Sequence, residues 1–417
     1  MLEGITRFDM NEPPRRQKLR PLIWALCFPD VWAHKNKLTK INMEGVKPPY
    51  LLLCNHNAFM DFKVAVKACF PNRANYVVAI DGFIGREGLL RTVGGICKRK
   101  FTNDITLIRQ LKKVIDNGDI ATVYPEARYS LCGTTAVLPE SLGKLAKLLK
   151  VPVVTLICHG HHVNSPFWNV GDRKVKPTEA EMTCVATAEE LQELSHEEVM
   201  ERIEKAFQYD DFKWQKDRGI LVKYRKRAEG LHKVLYQCPN CETEYKMSSS
   251  GTTLKCDFCG KHWEMNEDGT LSGSDGVTEF SHIPDWYEWE RANVRHEVEC
   301  GEYSVSLNSV VNALPNAKKF INIGNAKFTH NEKGFTLEGN ANGEFYSLNI
   351  PVPDAYSVHI EYEYLGKYGD CVDLNTLKDT LYVHPLESDY SVTKIALATE
   401  ELYNKYWREK KAEKEPE

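Results

Sequence analysis

The stretch Leu51-Leu52-Leu53-Cys54-Asn55-His56-Asn57-Ala58-Phe59-Met60-Asp61 decides the fold. Pro49 to Cys54 reads as a short buried strand. Asn57 to Met60 is a tight connection, and Asp61 to Phe70 is a helix opened by an acidic cap. On one continuous helix, positions five apart lie about 140° apart, so His56 and Asp61 would diverge. The bend from strand to helix is what lets them meet, and α/β sheets place their reactive groups at such strand ends.

The same alternation continues outward. Asn103 or Asp104 caps a helix with Ile105, Ile108, Leu111 and Ile115 on one face, Asn117-Gly118 stops it, and Ile120 to Tyr124 is a strand. Ser141 to Lys150 is a helix with Leu142, Leu145, Leu148 and Leu149 on one side, followed by a β-branched strand from Val151 to Cys158. Strand and helix in series predict an α/β domain with a largely parallel sheet.

The chemistry of His56 and Asp61 fits a hydroxyl nucleophile. An imidazole accepts a proton near neutral pH, and a carboxylate on its second nitrogen fixes the tautomer and stabilises the imidazolium. No serine stands beside the pair to complete a triad, so the nucleophile would be the substrate's own hydroxyl. The plain alternative is a strand-end histidine bonded to a helix-capping aspartate.

Two further elements follow. Gly94-Gly95-Ile96-Cys97-Lys98-Arg99-Lys100 joins two glycines, which permit close backbone approach, to three successive cations that suit an anion. Tyr124-Pro125-Glu126-Ala127-Arg128-Tyr129-Ser130 ends a strand at a proline and presents Glu126 and Arg128 on the sheet edge that carries His56. A carboxylate can bind a glycerol hydroxyl, and a guanidinium can grip phosphate in a fork.

In this order, Asn55-His56 with Asp61, Gly-Gly-Ile with basic residues, Tyr-Pro-Glu with Arg and Ser, and the Val151-Pro-Val-Val strand resemble the glycerolipid acyltransferase family, which includes the 1-acylglycerol-3-phosphate acyltransferases. The resemblance covers roughly residues 20 to 165. It implies transfer of a fatty acyl group from a thioester of coenzyme A or acyl carrier protein to a lipid hydroxyl in phospholipid synthesis. It implies His56 as base, Asp61 as its partner, and Glu126 with a nearby Arg at the acceptor's phosphate, beside Asn55. The family usually carries Phe-Pro-Glu-Gly-Thr-Arg-Ser; here Ala127 replaces the Gly, the Arg comes one position early at 128, and Tyr129 takes its usual place. Arg99 and Lys100 compete for the basic role in the second element.

At 417 residues the chain exceeds one ordinary domain, and 42% apolar with 27% charged residues describes a globular protein. A formal charge of -4 without a basic tail argues against nucleic acid as partner. No apolar run approaches the roughly 20 residues needed to span a bilayer, and no export signal is evident. A cytoplasmic protein touching the inner face of a membrane from one side is expected. Arg15-Arg16-Gln17-Lys18-Leu19-Arg20 before Leu22, Ile23, Trp24, Leu26, Phe28 and Trp32 suits a segment in the headgroup layer. The alternative is a first helix packed on the core.

Such a chain keeps its thirteen cysteines reduced. Cys238-Pro-Asn-Cys241 and Cys256-Asp-Phe-Cys259 form two Cys-x-x-Cys hooks, the pattern of a structural Zn²⁺ site, with Gly260 at the tight turn. His159, His161 and His162 read as a plain loop. The expected organisation is an α/β acyltransferase domain over 1–231 and a zinc ribbon over 235–274. A mainly β domain over 283–417 follows, suggestive of a pleckstrin-like module. It opens with a helix from Asp285 to Glu297 and closes with one from Val392 to Tyr406 and a charged tail from Arg408 to Glu417. The rival to an enzyme is a lipid- or protein-binding scaffold built on a decayed acyltransferase domain.

Overall fold

Leu51, Leu52, Leu53 and Cys54 are completely buried, as a strand covered on both faces requires. In the computed structural model, which describes residues 2, 4–102, 104–341, 343–364, 366 and 368–413, this strand is the centre of a seven-stranded sheet. In chain order the strands are β1 (Lys37–Ile41), β2 (Leu51–Cys54), β3 (Ala74–Ala79), β4 (Gly95–Lys98), β5 (Ile120–Val123), β6 (Val153–His159) and β7 (Glu179–Ala186). They are arranged β1-β7-β6-β2-β5-β3-β4. Every junction is parallel except β6–β7. Helices flank this sheet, so the domain is α/β.

The C-terminal ends of β2, β3, β4, β5 and β6 lie on one edge because these strands are mutually parallel. His56, Asp81, Lys100, Glu126 and His161 follow directly at that edge.

The helix after β2 runs Phe59–Cys69, starting two residues before the expected Asp61. Asp61 sits inside its first turn and accepts the Asn57 and Ala58 N–H groups, which supplies the acidic cap from within. Asp104 caps Ile105–Asp116 through the Thr106 N–H, whereas Asn103 lies outside the described residues.

The ribbon follows as β8 (Met247–Ser250), β9 (Thr253–Cys256), β10 (His262–Met265) and β11 (Leu271–Gly273), an antiparallel sheet. A helix, Ile283–Cys300, leads to the last sheet. That sheet comprises β12 (Val305–Leu314), β13 (Ile321–Asn331), β14 (Gly334–Ala341), β15 (Glu344–Ile350), β16 (His359–Glu361), β17 (Cys371–Asn375) and β18 (Thr380–Pro385). Its order is β15-β14-β13-β12-β18-β17-β16, all antiparallel. The closing helix runs Val392–Ala412 and packs on Ile283–Cys300. The expected charged tail is therefore helical to Ala412, and residues 414–417 lie outside the described residues.

One apolar core joins the three parts. Phe212 and Trp214 of the α/β domain share it with Trp263 of the ribbon, Trp286 of the joining helix and Leu397 of the closing helix. No helix among the described residues is long and apolar enough to cross a membrane.

Candidate active site

Asn55 closes the end of β2 onto β6. Its side chain donates to the Cys158 carbonyl at 3.0 Å and accepts the Cys158 N–H at 2.8 Å. Its amide is spent on structure and fixes the strand end from which His56 leaves.

The backbone of His56 is clamped by the loop after β5. Its N–H donates to Glu126 Oε2 at 2.6 Å, and its carbonyl accepts the Ser130 N–H at 2.8 Å. Glu126 also accepts the Ala136 N–H at 2.8 Å and the Tyr209 hydroxyl at 3.0 Å. Burial pushes its carboxyl up to about 7 even though these donors pull the other way. Completely buried, with three donors on its two oxygens, Glu126 holds the loop of His56. The loop needs left-handed backbone at Ala127, φ 54°, where the resemblance led to expect Gly. The turn survives the substitution, with the methyl group bearing about 1 kcal/mol of strain.

His56 and Asp61 meet as the spacing implied. His56 Nδ1 lies 3.5 Å from Asp61 Oδ2, the imidazole partly open to solvent and the carboxylate completely buried. Tyr124 and Tyr129 flank the ring, with centroids 4.5 and 4.3 Å away. Asp61 has a second imidazole partner, His161, whose Nδ1 is 2.5 Å from Oδ1. Burial alone would raise the Asp61 carboxyl, but hydrogen bonds from His161 and His56 outweigh it and hold it at about 2. It is an anion at neutral pH.

His161 was not legible as more than loop. It belongs to a short helical turn, His161–Asn164, at the end of β6, and β6 is the direct neighbour of β2. That adjacency was the available signal. His162, on the same turn, is buried against Trp168 and Phe212, and burial pushes its pKa down to about 3, so it is a neutral core residue.

His56 stands at the wall of a cleft of about 1120 Å³. That exceeds the roughly 300–1,000 Å³ usual for small-molecule sites. Phe59, Phe62, Leu90, Ile105, Ile108, Leu142, Leu145 and Leu148 line it, and Tyr356, His359, Glu361 and Tyr364 of the last domain complete it. Among the described residues no hydroxyl or thiol hydrogen-bonds the His56 ring.

The cations at the end of β4 divide by strand alternation. Lys98 and Lys100 line the cleft, while Arg99 points the other way. Arg99 donates to the carbonyls of Leu314 and Pro315 and to Thr380 Oγ1. Lys100 Nζ faces Asp81 at 3.6 Å and Glu361 at 4.0 Å. Lys98, the first of the three successive cations, donates to the Thr102 carbonyl. Arg128 is buried on Glu400 at 2.7 Å and also donates to the Val358 carbonyl. Arg99 is thus turned from the cleft, whereas Arg128 is among the residues lining it. Both guanidiniums join the α/β domain to the last domain.

Arg15 pairs with Glu12 and Arg16 with Asp119, so two of the cations before the first helix are neutralised. That helix, Arg20–Ala33, buries Ile23, Cys27 and Val31 and leaves Leu22, Leu26 and Trp32 exposed.

Cys238, Cys241, Cys256 and Cys259 gather as their spacing implied. Cys238 Sγ is 3.8 Å from Cys259 Sγ, and Cys241 Sγ is 3.7 Å from Cys256 Sγ. A tetrahedron with Zn–S of about 2.3 Å has edges of about 3.8 Å. Both hooks turn alike: the Glu242 N–H bonds the Cys238 carbonyl, the Gly260 N–H bonds the Cys256 carbonyl, and both residues have positive φ. The cluster is compatible with a zinc site.

No protein-family profile and no curated protein sequence matches the chain. Among solved structures, the 1-acyl-sn-glycerophosphate (LPA) acyltransferase PlsC from Thermotoga maritima is similar at 15% sequence identity and a TM-score of 0.32, over 45% of this chain and 78% of that one, a likeness too slight to bear on function.

Proposed function

We propose that the protein is an O-acyltransferase that moves a fatty acyl group from a coenzyme A or acyl carrier protein thioester to the hydroxyl of a lysophosphatidate-like glycerolipid. The observation that carries this reading is His56, backed by the buried Asp61 anion and without a protein nucleophile, opening onto a large apolar cleft.

In this reading His56 takes the acceptor's hydroxyl proton as the oxygen attacks the thioester carbonyl. The C–O bond forms, the C–S bond breaks, and the proton passes to the leaving thiolate. Asp61 stabilises the imidazolium. The apolar walls hold the acyl chain, and Lys98, with Lys100 beyond it, offers positive charge to the acceptor's phosphate. A structural Zn²⁺ on Cys238, Cys241, Cys256 and Cys259 would fasten the ribbon.

Lipid substrates call for a membrane face. The exposed Leu22, Leu26 and Trp32 continue through Phe28, Phe70 and Trp24, whose rings are 4.8–5.7 Å apart, and the exposed Phe59 also lines the cleft. Peripheral binding at the inner face of a membrane follows from this reading. Leu26→Glu with Trp32→Glu should then weaken sedimentation with anionic vesicles.

The commitment of Arg99 and Arg128 to domain contacts favours a second reading, a lipid- or protein-binding scaffold on a decayed catalytic domain. One assay separates the two. Full-length protein with labelled acyl-CoA or acyl-ACP and lysophosphatidate should form diacylated product, and His56→Ala should lower the rate roughly 100- to 10,000-fold. Equal inactivity of both proteins across donors and acceptors selects the scaffold.

A further inference from the structure

The edge strand β16 and its neighbour β17 pair His359 with Asp373 and Glu361 with Cys371. Residues directly opposite share a face, as do residues two apart along a strand. One face of this hairpin therefore presents His, Glu, Cys and Asp, while Ile360 and Val372 on the other enter the apolar core. The donor-rich face is turned inward against Asp81 and Lys100 of the α/β domain, with His359 and Asp373 each only 2% exposed.

The ligand-bearing atoms converge. His359 Nε2 lies 2.8 Å from Glu361 Oε1 and 3.8 Å from Asp373 Oδ2, and the three donors fit within 4.8 Å of one another. Among the described residues, one ammonium, Lys100, stands among Asp81, Glu361 and Asp373, nearest Asp81. Buried carboxylates persist when they are paired or hold a metal ion.

We propose that His359, Glu361 and Asp373 form a second divalent-cation site, of the zinc type, distinct from the four cysteines. One imidazole nitrogen and two carboxylate oxygens are a zinc-competent set. His359 and Glu361 both line the cleft, so a cation held here would border it. If the acyltransferase reading holds, the cation supplies positive charge at the cleft wall for the acceptor's anionic group.

Counting zinc on the full chain tests this. After incubation with Zn²⁺ and dialysis to remove unbound metal, wild type should retain one ion more per chain than Asp373→Asn or His359→Gln, with unchanged far-ultraviolet circular dichroism. Added Zn²⁺ should raise the wild-type Tm more than that of either variant. Equal zinc content in wild type and both folded variants overturns the site. Zinc held here by a protein that transfers no acyl group leaves this inference standing and removes the acyltransferase reading. Acyl transfer by a wild type with no extra ion does the reverse.

Discussion

Asp61 is bound more closely to His161 than to His56, at 2.5 Å against 3.5 Å, although His161 is a hundred residues away in the chain. Together the two hydrogen bonds overcome burial and hold the carboxyl at about 2. The unfolded value is about 3.9. Because the folded value is the lower one, the stabilisation is present above about pH 4 and is lost as pH falls toward 2; it is on the order of 2 kcal/mol. His161→Phe deletes the closer bond, so its acid unfolding, followed by circular dichroism, should begin at higher pH than that of wild type. His161→Asn keeps an N–H donor and should recover part of the difference. Identical acid transitions in wild type and the Phe variant would show that His161 does not hold the carboxylate.

Glu126 has the opposite sign. Burial raises its carboxyl to about 7, against about 4.3 unfolded. The native state holds this proton more tightly, so its contribution is fully present below about pH 4 and is lost as pH rises through 7. Glu126→Gln removes the titration but sets an amide N–H against a backbone N–H, a mismatch costing about 1–3 kcal/mol. Urea midpoints from pH 4 to 8 should fall with pH in wild type and fall less steeply in the variant. Parallel curves would mean that Glu126 does not titrate in this window.

Arg128 should behave as a structural residue. It and Glu400 are both buried, and breaking such a pair costs roughly 3–5 kcal/mol. Glu400 keeps Arg291 and Ser357, each at 2.7 Å, so about 3 kcal/mol is expected for Arg128→Met. Urea denaturation should show that loss while the acceptor's KM stays unchanged. A raised KM at unaltered stability would return Arg128 to the substrate.

What was legible in the sequence was local. The strand, bend and helix from Leu51 to Cys69 follow from residues adjacent in the chain, and so does the meeting of His56 with Asp61. The cysteine hooks carry their own turn geometry. The fate of Arg99 and Arg128 depended on Leu314, Pro315, Thr380 and Glu400, which lie more than two hundred residues downstream, and no period or motif linked them. The alternation of Lys98, Arg99 and Lys100 held the clue that only alternate cations could face the cleft. His161 and the β16–β17 donor face became visible only once strand order and register were known.

The ribbon should report its metal through tryptophan. Trp263 on β10 is completely buried, with its ring 4.9 Å from that of Trp286 on the joining helix, whose indole N–H donates to the Gln237 carbonyl beside the first hook. Without a cation, the four thiols that face one another lose their common partner, and a segment this small has little core of its own. A strong chelator should therefore red-shift the tryptophan emission and lower Tm, and excess Zn²⁺ should restore both. Cys256→Ser should resemble the chelated protein without chelator and should respond little to added Zn²⁺ at this signal. Unchanged emission in chelator, at a concentration shown to strip the chain of metal, would mean that the hooks hold the ribbon without zinc.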